Sequence, residues 1–166
     1  MASNHAAGDP KGDPPYLRRV VVSPPPGMRY DTSVPDRCSA PDVELQVIGP
    51  DACPPGSRLG TGTVDGLIYA PVTHAFVFDR YHHDLFVLNS ADGQILLVKS
   101  EGYTVARGHL RPDGSMEFDP PTCFPSPPTG CADDYVVQTK TATSMSAYTK
   151  GARSYATTPS TCPRQR

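Results

Sequence analysis

Proline and glycine punctuate this chain too densely for it to build long helices. Twenty prolines and 14 glycines fall among its 166 residues, and each proline removes a backbone donor while each glycine loosens the chain. Hydrophobic residues (37%) and charged residues (19%) both fall short of the usual globular share, so the core must be thin. The length suits one domain, at most one and a half. Seventeen acids against fifteen lysines and arginines give a formal charge of −2, which argues against a dedicated nucleic-acid binder. No apolar run approaches the roughly 18–20 residues of a membrane-spanning helix.

Residues 1–15 are polar and carry glycine and proline, which predicts a disordered leader with neither a signal peptide nor an amphipathic helix. Tyr16–Val22 reads as a strand that ends in a turn at Pro24-Pro25-Pro26-Gly27. Ser39-Ala40-Pro41-Asp42 predicts a short helix capped by Ser39, with Val43, Val47 and Ile48 on one face and Gly49-Pro50 as the stop. An alternating strand over Val43–Val47 fits almost as well.

From Gly60 onward the pattern is β. Strands are predicted at Thr63–Tyr69, Thr73–Phe78, Leu85–Leu88, Gln94–Lys99, Tyr103–Leu110, Ser115–Phe118 and Tyr135–Thr143, with a weaker one over Ala147–Ala156. Asp92-Gly93 and Asp113-Gly114 mark two hairpins, and the five prolines of Asp119–Thr129 mark a loop. The expected fold is mainly β, an antiparallel sandwich-like sheet or partly open barrel with one short helix and disordered termini. Residues 16–158 form the single β-rich domain, and 159–166 form a flexible basic tail.

Five cysteines stand at 38, 53, 123, 131 and 162. In a Pro/Gly-rich, core-poor chain they favour disulfides over metal or redox chemistry, because no C-x-x-C occurs and none lies near a histidine. They outweigh the missing signal peptide, so an oxidising destination is expected. Five is odd, which leaves one thiol free or its partner elsewhere.

The string Gly49-Pro50-Asp51-Ala52-Cys53-Pro54-Pro55-Gly56-Ser57-Arg58-Leu59-Gly60-Thr61-Gly62 resembles a segment shared by small exported actinobacterial proteins, mycobacterial ones included, that have no assigned function. Their pattern is a strand, a Pro-x-Gly turn, a Cys, a short helix, Gly-Pro-x-x-Cys-Pro-x-x-Ser-x-x-Gly-x-Gly and an all-β body. Leu17–Val22, Pro25-Pro26-Gly27 and Cys38 match its earlier elements, and Tyr155–Pro163 resembles its closing segment. The resemblance covers roughly half the chain and implies a scaffold with no catalytic residues to transfer. Against that family, a polar leader replaces the export signal, and no Trp-bearing strand or further Cys follows Cys162-Pro163. The expectation is a member clipped or altered at both ends. Cys38 is expected to pair with Cys53 around the helix, and Cys123 with Cys131 around the Pro-rich loop. Cys162 is then a free thiol able to form a reducible dimer; the alternative pairs it with Cys123 or Cys131.

Candidate chemistry is sparse. Asp79-Arg80-Tyr81-His82-His83-Asp84 gathers two carboxylates and two imidazoles, so Asp79, His82, His83 and Asp84 are the candidate metal ligands or acid–base groups. The run falls between two predicted strands, and adjacent histidines on a strand point to opposite faces, so a solvated polar turn is expected. Ser57 lacks the spacing of a nucleophile elbow and reads as a turn residue. Gly60-Thr61-Gly62 has no P-loop lysine after it and reads as the start of a strand. After Asp134 no acid occurs, and the last 32 residues carry +5, leaving −7 on the rest. Lys140, Lys150 and Arg153 could make weak contact with an anionic polymer or lipid surface, or merely guard a solvated edge strand.

These readings converge on a non-enzymatic, disulfide-stapled protein, secreted or held at the cell envelope, with a structural or interaction role and no cofactor. The rival is a small-ligand or metal-binding β module built on Asp79, His82, His83 and Asp84.

Overall fold

The computed structural model describes residues 19–70, 72–100, 102–119, 125–126, 130–131 and 135–158. The leader 1–15, the tail 159–166, Cys123 and Cys162 lie outside the described residues. In chain order the elements are β1 (Val20–Val22), β2 (Arg29–Tyr30), α1 (Asp42–Ile48), β3 (Arg58–Ala70), β4 (Ala75–Asn89), β5 (Gly93–Lys99), β6 (Tyr103–Leu110), β7 (Met116–Phe118), β8 (Pro125–Ser126), β9 (Gly130–Cys131), β10 (Tyr135–Met145), β11 (Thr149–Lys150), β12 (Arg153–Ser154) and β13 (Ala156–Thr157). A 3-10 turn at Gly49–Ala52 extends α1, and another at Pro55–Ser57 leads into β3.

Seven strands form one antiparallel sheet in the order β1-β7-β6-β5-β4-β3-β10, curled into a half-barrel. Its middle is a meander because local turn chemistry joins successive strands. Gly93, at φ 156°, closes the turn where Ser90 N–H donates to the Gly93 carbonyl at 3.0 Å. Asp113 accepts from the Ser115 amide and hydroxyl at 2.9 and 2.6 Å, and Gly114 takes φ 84° beside it.

The curl follows from β3. Register shifts interrupt its pairing with β4 at Arg58/Gly60, Gly66/Ile68 and Ile68/Tyr69, and β10 carries another at Gln138/Lys140. Such irregularities bend and twist a ladder. At Gly60 and Gly62 the β10 backbone comes so close that a Cβ would overlap the carbonyl oxygens of Ser144 and Ala142.

Partners across the ladder share a face, so Phe86↔Leu97 and Leu88↔Ile95 point one way while Val87↔Leu96 points the other. The first set packs under α1 with Leu45, Cys38, Cys53, Tyr103 and Val105. The second packs against Leu59, Tyr155, Tyr30 and Tyr148 from the chain's later and earlier segments. Both faces of β4 and β5 are covered here, which is why their sequences read as continuous apolar runs.

Three expectations need correction. Asp79–Asp84 is not a turn; with no glycine or proline to break it, it runs through the middle of β4, pairing with β3 at Asp65↔His82 and Thr63↔Asp84. The helix begins at Asp42 with Pro41 at its cap position and no side-chain cap from Ser39. Its buried residue is Leu45 (0% exposed), while Val43, Val47 and Ile48 are 68%, 78% and 47% exposed. Arg107 sets this roll, donating from Nε to Asp42 Oδ1 at 2.8 Å and from Nη2 to the Ala40 carbonyl at 2.9 Å. The strand predicted over Ala147–Ala156 is three two-residue pieces: β11 and β12 pair around Gly151, and β13 pairs with β2.

Candidate functional site

The Gly-Pro-x-x-Cys motif builds a clamp around α1. Cys38 and Cys53 are joined by a disulfide with Cα atoms 5.0 Å apart, 15 residues apart in sequence. Both are buried, at 3% and 5% exposure. Cys38 N–H also donates to the Asn89 carbonyl at 2.9 Å, tying the front of the clamp to the end of β4.

Packing accounts for most of the motif's marked positions. Gly49 stops α1 at φ 74° and lies against the Tyr103 ring, where a Cβ would overlap. Pro50 is buried beside it. Gly56 lies against the Asp36 carboxylate, which would have to swing aside to admit a Cβ. Ser57 is fully buried, and its hydroxyl donates to the Pro54 carbonyl at 2.6 Å, so it closes a turn and has no access to a substrate. Gly60 and Gly62 admit β10. The motif is a device for fixing a helix onto a sheet.

What this fixation exposes is an apolar ridge. Val43 and Val47 are one turn apart, Ile48 adjoins them, and all three face outward from a helix held at both ends. Asp42, paired with Arg107 at 2.7 Å, and Asp51, paired with Arg58, flank it.

The polar run on β4 does not assemble into one site. His82 Nδ1 hydrogen-bonds Asp65 Oδ1 on an exposed surface, and Lys140 of β10 stands opposite Asp65 in register. Asp84 shares that face with His82. His83 projects to the other face, opposite Val64. The side chain of Asp79 lies outside the described residues. Among the described residues no three His, Cys, Asp or Glu side chains gather where a metal could sit.

Two described cations of the C-terminal segment, Lys150 and Arg153, pair with acids from the earlier part of the chain. Arg153 Nη2 lies 2.7 Å from Asp31 Oδ2 and donates to the Ser33 hydroxyl, and Lys150 Nζ lies 3.9 Å from Asp36 Oδ1. Hydrogen bonds from Ser33, first from its hydroxyl, and from Arg153 hold the Asp31 carboxyl down to about 2. Lys150 and Arg153 face each other across β11–β12, and these two acids offset their repulsion.

Sequence reading missed the buried polar residues that organise this face. Asn89 is fully buried and gathers the loop around 32–36. Gln94 Nε2 donates to the Tyr155 hydroxyl at 2.8 Å, and burial pushes that phenol up to about 12. A polar residue closing one apolar run and another opening the next, Asn89 as the last residue of β4 and Gln94 just before Ile95 in β5, was the available signal.

No protein-family model matches the chain, and it matches no curated protein and no solved structure.

Proposed function

We propose that this protein is a non-enzymatic scaffold of an oxidising compartment, secreted or held at the cell envelope, that offers the α1 ridge to a protein partner. The observation that carries the reading is the pairing of clamp and ridge. A buried disulfide immobilises a seven-residue helix, too short to persist alone, with Val43, Val47 and Ile48 outward. A pre-ordered apolar strip loses little entropy when a partner covers it. The disulfide favours an oxidising location, and the resemblance to small exported actinobacterial proteins agrees with it. Cys162 adds a thiol through which the chain can form a reducible dimer.

A photo-crosslinking residue placed at Val47 in cells of the source organism tests the reading, with the exposed β10 position Thr143 as control. One identified protein adduct should form at Val47, and Val43→Asp should abolish it. An adduct yield no higher than at Thr143, or fractionation of the chain with the cytosol, contradicts it. The competing metal module at Asp79, His82, His83 and Asp84 is supported only by the His82–Asp65 pair, and a zinc titration of His82→Ala against the parent separates the two.

A further inference from the structure

A second surface, independent of the α1 ridge, lies in the layer covering the opposite face of the sheet. There β2, β12 and β13 border a concavity of about 490 Å³ lined by Arg29, Tyr30, Asp31, Arg153, Ser154 and Thr157, with Ala152 at its rim. Arg29 and Thr157 are paired across β2–β13, which sets a guanidinium and a hydroxyl side by side. Arg29 makes no side-chain hydrogen bond or ion pair among the described residues.

Asp31 is the one carboxylate in this lining, and both of its oxygens are in use. Oδ1 accepts from the Ser33 amide and hydroxyl at 3.1 and 2.6 Å, while Oδ2 receives Arg153 Nη2 at 2.7 Å. Asp31 therefore acts as a holder. It fixes the Arg153 guanidinium through one nitrogen, and Nε and Nη1 make no bond among the described residues. An arginine fixed in this way loses little entropy on taking a second oxyanion, and its planar fork matches two oxygens at once. With Asp31 neutralised by Arg153, Arg29 leaves the lining with a net positive charge, and Ser154 and Thr157 contribute hydroxyl-bearing side chains to it.

We infer that this concavity binds a phosphate-ester oxyanion, with Arg29 as the residue that decides affinity and Arg153 as its partner. The group could come from a soluble phosphate ester or from an anionic lipid headgroup, which present the same oxygens. The chain as a whole is acidic, so such binding depends on this local arrangement rather than on a general basic field.

The test is an amide and arginine-side-chain NMR titration of the full chain at low salt with inorganic phosphate, then glycerol phosphate, then vesicles of phosphatidylglycerol against phosphatidylcholine. Saturable shifts should centre on residues 29–31 and 152–157, and Arg29→Gln should weaken binding about tenfold, the loss of one charge-assisted hydrogen-bond pair. Arg29→Lys should recover part of that loss. Because Arg29 has no side-chain partner among the described residues, its replacement should leave the melting temperature unchanged, which keeps the comparison interpretable. Saturation by phosphate or glycerol phosphate assigns a soluble ester. Saturation only by phosphatidylglycerol, with the same Arg29 dependence, assigns a headgroup. Shifts spread evenly over all cationic positions, or an affinity indifferent to Arg29→Gln, overturn the site.

Discussion

Asn89 and Cys38 hold each other across the edge of the clamp: the Cys38 amide donates to the Asn89 carbonyl at 2.9 Å, while the Asn89 side chain secures the loop leading to Cys38. Asn89 Nδ2 donates to the Thr32 carbonyl at 2.9 Å and to the Asp36 carbonyl at 3.0 Å. The orientation is forced, since a flipped amide would set Oδ1 against those carbonyls; as placed, Oδ1 has no partner among the described residues. Asn89→Ala removes a donor from the part-buried Thr32 and Asp36 carbonyls and from the buried Pro35 carbonyl, of which only Thr32 keeps another among the described residues, Arg37 Nε. It should cost about 2 kcal/mol in chemical denaturation, within the usual penalty for a stranded buried polar group. A change under about 0.5 kcal/mol would show that the loop is held by its backbone alone.

The helix presents a contrast within seven residues. Leu45→Ala removes the anchor and should cost about 2–4 kcal/mol, whereas Val43→Ser and Val47→Ser, at 68% and 78% exposure, should change stability by no more than about 0.5 kcal/mol. Denaturant midpoints of the three variants check this. If the valine variants were as costly as Leu45→Ala, the ridge would belong to the protein's own core.

Gly60→Ala and Gly62→Ala each place a methyl group against the β10 backbone, which cannot yield as a side-chain tip could. Each should destabilise by about 1–3 kcal/mol, the usual cost of forcing extra volume into a closed contact. Hydrogen exchange should show protection lost first in Tyr135–Met145, with β5 and β6 spared. Equal loss across the whole sheet would contradict a local role in the curl.

Much of this was legible in the sequence, and the illegible parts share a cause. The hairpins at Asp92-Gly93 and Asp113-Gly114 are written in adjacent residues, so turn chemistry found them. The Cys38–Cys53 pair was expected around the short helix of the resembling family pattern, and the structure joins it. The roll of α1 was hidden because Arg107, 65 residues from Asp42, sets it. Asn89 was hidden for the same reason, since its acceptors lie more than 50 residues earlier. Asp79–Asp84 misled through composition: its polar residues suit a turn, yet nothing there breaks a strand that β3 pairs along its length.

Hydrogen bonds from Ser33 and Arg153 make part of the protein's acid stability depend on the Asp31 carboxylate. Its pKa is lowered to about 2 in the folded protein from the ordinary 3.8, so its contribution is complete above about pH 4 and is lost as pH falls through 2. Asp31→Asn should therefore narrow the gap in melting temperature from wild type as pH drops from 4 to 2. A gap that stays constant over that range would remove Asp31 from the account.

The most direct measurement is the thiol state of the protein recovered from its source without reductant, read by non-reducing peptide mapping. The account predicts a linked Cys38–Cys53 pair that resists mild reductant until the chain unfolds, since both sulfur atoms are buried. Replacing both cysteines by serine should then cost about 3 kcal/mol, the chain-entropy value for closing a loop of this length. Recovery of Cys38 and Cys53 as free thiols in natively folded protein would contradict the disulfide clamp and, with it, the reading of the chain as a scaffold for an oxidising compartment.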